Sequence, residues 1–138
     1  MKLSVKSDYA ARAILALARS QPGIPRKVEE LAAEQNIPAN YLVQILIELK
    51  TRGLVASQRG KVGGYTLAKP PSQITLADVL EAIHGHVFDT PAIDDPNCPG
   101  ELRDAWRRLR EKVVEAAREI DFQTLVEEGQ RRAGMYYI

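Results

Sequence analysis

Cysteine is nearly absent: Cys98 stands alone in 138 residues, so one chain can form no internal disulfide and no thiolate cage for a metal. Long apolar runs are missing as well. The longest fall far short of the ~18–20 residues that span a bilayer, and the start Met1-Lys2-Leu3-Ser4-Val5-Lys6 has no apolar leader region. The expectation is a soluble cytoplasmic chain with no membrane partner. Catalytic patterns are lacking too, with no Gly-x-Ser-x-Gly, no Gly-x-x-x-x-Gly-Lys-Ser/Thr and no paired carboxylates at a recognisable spacing. One cysteine and two histidines do not make a catalytic set, and an enzyme is not expected.

What is present is enough apolar material for a core: 45% hydrophobic against 27% charged residues, in a length that admits one domain with an appended dimerisation element. The formal net charge of +1 hides an asymmetry. Residues 1–70 hold eleven Lys/Arg against five Asp/Glu, a net of +6, and residues 71–138 hold eight against thirteen, a net of −5. A basic first half points to a polyanionic partner.

The order of elements in that half gives the partner a chemistry. Ser7 or Asp8 is placed to cap a helix with apolar positions Tyr9, Ala13, Ile14, Leu17 and Ala18, ended by Gln21-Pro22-Gly23. A short helix from Val28 to about Gln35 follows. Asn36-Ile37-Pro38 then turns tightly into a third helix, which runs to Gly53 and buries Leu42, Ile45, Leu46 and Leu49. Its opposite face carries Asn40, Gln44, Ile47, Glu48 and Thr51. This is a helix-turn-helix pattern.

Residues 54–59 then read as a strand, Gly60-Lys61-Val62-Gly63-Gly64 as a glycine-rich turn and Tyr65-Thr66-Leu67 as the return strand. Such a hairpin is a wing, with Arg59 and Lys61 as cations at its tip. Glycines there would let the tip come close to a phosphodiester backbone.

In the second half, Thr75 with Asp78 starts a short helix burying Leu76, Val79, Leu80 and Ile83. A loop covers residues 84–100. From Glu101 a long helix spaces Leu102, Trp106, Leu109, Val113, Ala116 and Ile120 by fours and threes, offering a seam to a partner helix. The run is under three heptads, so packing on its own domain stays open.

Lys6-Ser7-Asp8-Tyr9-Ala10, Ile37-Pro38-Ala39-Asn40-Tyr41-Leu42, and Gly53-Leu54-Val55 leading to Arg59-Gly60-Lys61-Val62-Gly63-Gly64-Tyr65 resemble the Rrf2 family of bacterial winged-helix regulators. The likeness continues through Ile74-Thr75-Leu76-Ala77-Asp78-Val79-Leu80 and covers essentially the whole chain. It implies a mainly α fold with a small β-hairpin: a winged helix-turn-helix domain (1–83), a loop at the family's sensor position (84–100), and a dimerisation helix with a tail (101–138). It also implies a homodimer on a palindromic operator in double-stranded DNA, with the third helix in the major groove and the wing at the minor groove. The candidate DNA contacts are Lys6, Tyr9, Asn40, Tyr41, Gln44, Thr51, Arg59, Lys61, Gly63 and Gly64.

Family members that hold an iron–sulfur cluster place three cysteines in the loop before the dimer helix. Here Ala92 and Asp104 stand about six residues either side of Cys98. No cofactor is expected, because clusters are held mostly by thiolates. A sensor on Cys98 with His84, His86 or Asp8, a thiol switch at Cys98 alone, and an inert loop thiol remain as readings, and so does a winged-helix module that binds only another protein.

Overall fold

Ser4, not Ser7 or Asp8, starts the first helix. The computed structural model describes residues 2–135, and the last three residues of the expected C-terminal tail, 136–138, lie outside the described residues. Ser4 has extended backbone, and its Oγ accepts from the Ser7 N–H at 3.1 Å while the buried Ser7 hydroxyl donates back to the Ser4 carbonyl at 2.7 Å. The helix α1, Val5–Arg19, therefore begins a turn earlier than its apolar pattern predicts.

α2 (Val28–Gln35) closes on Asn36 in the left-handed region at φ 59°, which turns the chain so that Ile37 enters the core and α3 (Ala39–Thr51) can start behind Pro38. The predicted stripe of Leu42, Ile45, Leu46 and Leu49 is fully buried. It meets Ala10, Ala13, Ile14 and Leu17 of α1 and Leu31 of α2 in one core. The antiparallel strands β1 (Val55–Gln58) and β2 (Gly64–Leu67) pair Val55 with Leu67 and Gln58 with Gly64. A third segment joins them, since Arg26 and Tyr65 exchange backbone hydrogen bonds at 2.9 and 2.8 Å.

α4 (Leu76–His84) opens with the capping box expected of Thr75 and Asp78. The loop that follows is anchored by a 3-10 turn, Pro91–Asp94, whose Ile93 is buried. The long helix α5 (Gly100–Arg118) stops before Ile120, which corrects the expectation of one helix carrying that residue. Its continuation is not a tail. The Ile120 carbonyl accepts from Leu76 N–H at 2.9 Å and Phe122 N–H donates to the Ile74 carbonyl at 3.0 Å, so residues 120–122 lie along 74–76 and the chain breaks direction. A further helix, α6 (Phe122–Met135), packs on α1 and puts Phe122 into the main core.

Asp121 holds the start of α6, accepting from Thr124 N–H and the Thr124 hydroxyl, each at 2.9 Å. Those two bonds favour the ionised carboxylate and keep it below the ordinary aspartate range. Among the described residues no helix is long and apolar enough to cross a membrane.

Candidate nucleic-acid interface

Because one side of α3 is committed to the core, the helix has a fixed outer face. Asn40, Gln44, Ile47 and Thr51 are exposed there. The amides of Asn40 and Gln44 lie one turn apart near the N-terminal end, where a recognition helix meets base edges and where an amide side chain pairs with adenine N6 and N7. The Thr51 hydroxyl is occupied within the helix, donating to the Ile47 carbonyl at 2.9 Å.

The hairpin springs from the end of this helix, and Lys50 Nζ bonds Ser57 Oγ at 2.7 Å across the junction. Arg59 and Lys61 are exposed at its tip. Gly63 and Gly64 are also required by the hairpin itself. Gly63 is buried, and a Cβ on it would run into the backbone of Gln58, Arg59 and Gly60; a Cβ on Gly64, which has φ 148°, would strike the backbone of Arg26. Their glycine identity is demanded by the hairpin's own packing. Gly60, with φ 108° and open space around it, is the glycine at the outer turn.

Arg26 escaped the sequence reading as a structural cation. Its guanidinium bonds Glu34 and Ser20 Oγ and reaches Glu30, which braces α2 against the segment paired with Tyr65. The hydrogen bond that it donates to Glu34 raises its pKa above the ordinary arginine value. The spacing of Arg26 to Glu30 and Glu34, four and eight residues, was the available signal.

The first turn of α1 is stitched to the margin of α3 by two contacts. Tyr9 and Tyr41 meet edge to face with centroids 5.8 Å apart, with Arg12 lying 5.5 Å over the Tyr9 ring. Lys6 Nζ sits 2.7 Å from Glu48 Oε1 and 2.6 Å from Oε2. Lys6 and Tyr9 thus touch α3 residues, while Asn40 and Gln44 stay open to solvent.

The expected partner seam on α5 is uncovered in the single chain. Leu102 and Leu109 are 46% and 45% exposed. Trp106 and Val113 are half-buried, Ala116 is exposed, and Ala117 is the one buried residue of the 19 in this helix. Ile120 is exposed but lies beyond the helix end.

Cys98 is half-buried and held by its backbone, accepting from Arg103 at its carbonyl at 2.9 Å. His84 Nε2 lies 3.1 Å from Ser4 Oγ and its ring stacks on His86 at 6.4 Å, and Asp8 is drawn to Arg12 at 2.8 Å. Among the described residues no three His, Cys, Asp or Glu side chains converge on a metal position. The mixed site on Cys98, His84, His86 and Asp8 is therefore not assembled within one chain.

The Rrf2 family model, described as an iron-dependent transcriptional regulator, matches residues 3–128. The chain belongs to the Rrf2 family. Along its full length it is 31% identical to the HTH-type transcriptional regulator CymR of Bacillus subtilis, over 140 aligned residues that cover all of both chains. It is 34% identical over 131 residues to IscR of Photorhabdus laumondii, covering 91% of this chain and 79% of that one. The solved structure of CymR (YrzC), the global cysteine regulator of B. subtilis, superposes with a TM-score of 0.81 at 27% identity, covering 93% of this chain and 98% of that one. The protein is thus a transcriptional regulator with the winged-helix fold of its Rrf2 relatives, and the helix-turn-helix and hairpin read from the sequence are borne out.

The donor set of this Rrf2 protein does not fit an iron–sulfur cluster. A cluster needs about four protein ligands, mostly thiolates, and the chain supplies one thiol, with its backbone fixed by Arg103.

Proposed function

We propose that this regulator binds double-stranded DNA as a homodimer across a palindromic operator, with α3 in the major groove and the β1–β2 hairpin at the minor groove, and without an iron–sulfur cluster. The observation that carries the reading is the division of α3 into a fully buried stripe and an outer face that presents Asn40 and Gln44 beside a hairpin tipped with Arg59 and Lys61. Two exposed cations at that tip favour a phosphate partner over a module that binds only protein. The near-total absence of buried side chains on α5 supports the second copy, because an amphipathic helix this long is stable in water only when its apolar side is covered.

Replacing Arg59 and Lys61 together by alanine tests the reading. Each lost phosphate contact flattens the log–log dependence of affinity on salt by about 0.9, so the double variant is expected to lose about 1.8 in slope and to weaken on every duplex. Unchanged affinity and slope would remove the hairpin from the interface. The cluster-free state has its own measurement: protein purified anaerobically is expected to be colourless and to bind its operator in that form. Stoichiometric iron and sulfide that disappear with Cys98→Ser would contradict it.

A further inference from the structure

Glu48 sits on the recognition helix one turn beyond Gln44, at the margin of the face assigned to DNA. An unpaired carboxylate there would repel a polyanion. Its charge is instead met by Lys6, whose side chain and that of Glu48 are 29% and 40% exposed. Glu48 Oε1 accepts a hydrogen bond from Nζ at 2.7 Å, while Oε2 is shielded from solvent and lies outside hydrogen-bond geometry at 2.6 Å, so the ammonium's charge is what compensates it. The pair is partly exposed, so what holds it is its close geometry and the shielding of one carboxylate oxygen, and its strength is modest. The Tyr9–Tyr41 contact lies along the same seam and holds the two helices in this register.

Resting on the DNA-binding reading above, we infer that Glu48 is a specificity-determining residue that occupies Lys6 in place of a DNA phosphate. A lysine at the start of α1, next to the reading face, would otherwise add one sequence-independent contact. Held by Glu48, it orients α3 and contributes little to binding of random DNA. The gap between operator and random duplex is wider as a result.

The test is a salt series on a mixed-sequence duplex and on a duplex selected by the parent protein, for the parent, Glu48→Gln, and Glu48→Gln combined with Lys6→Met. Glu48→Gln is expected to tighten mixed-sequence binding severalfold and to steepen its salt slope by about 0.9, with a smaller gain on the selected duplex. Adding Lys6→Met is expected to return both quantities to the parental values, because the gain runs through the freed ammonium. Glu48→Ala serves as a second variant should the amide disturb folding, checked by thermal melting of each protein.

An unchanged slope in Glu48→Gln overturns the inference, and so does a gain that survives Lys6→Met, since that is simple removal of a negative charge. Loss of preference at one base position overturns it too, because Glu48 would then be reading a cytosine amine. If the parent itself binds neither duplex, the DNA-binding reading has failed and not this one.

Discussion

Replacing Leu109 by lysine is expected to dissociate the proposed dimer and to cost operator affinity about a thousandfold or more. Specific binding exceeds non-specific binding by roughly 10³–10⁷ in typical regulators, and a module of this size reads only one half-site without its partner. Leu109 is 45% exposed in the middle of the apolar side formed by Leu102, Trp106 and Val113. An isologous interface places the same residue on both copies. Two lysines would therefore enter the seam, where burying an unpaired charge is expensive. Lysine is the informative choice, because its charge does not itself repel DNA. Sedimentation would read the mass and a duplex titration the affinity; a dimeric variant, or a monomer with parental affinity, would show that α5 is not the seam.

Phe122→Ala is expected to lower folding stability by about 3–5 kcal/mol, out of the roughly 5–15 kcal/mol typical of a single domain. Phe122 is 1% exposed and belongs to the same core as α1 and α3. Its backbone N–H is also spent on the Ile74 carbonyl, which leaves the segment little freedom to collapse into the space left by the ring. Urea unfolding would show a large fall in midpoint with little change in slope. A loss below about 1 kcal/mol would mean that α6 is an appendage and not part of the domain.

Position 122 also marks where the sequence stopped being legible. Periodicity exposes which residues of a helix face inward, so Leu42, Ile45, Leu46 and Leu49 could be assigned without coordinates, as could the capping box of Thr75 and Asp78. The end of α5 was harder, because the heptad spacing runs on to Ile120 while the chain turns at that point to pair with Ile74–Leu76, some 45 residues away. Asp121 and Thr124, spaced as a helix cap, were the local hint. Long-range partners explain the other differences. Nothing near Gly64 in sequence announces the backbone of Arg26, and nothing near Lys6 announces Glu48. The exposed amides of α3 were legible because exposure follows from the stripe behind them.

The central claim is that the outer face of α3 reads bases in two symmetric half-sites. Selection of duplexes from a random pool tests it most directly, performed with the parent and with Gln44→Ala. The parent is expected to enrich a palindrome whose half-sites lie about one helical turn apart. Gln44→Ala is expected to lose preference at one symmetric pair of positions, at ~1–3 kcal/mol per base pair. No enriched sequence from the parent, or the same consensus from both proteins, would contradict it.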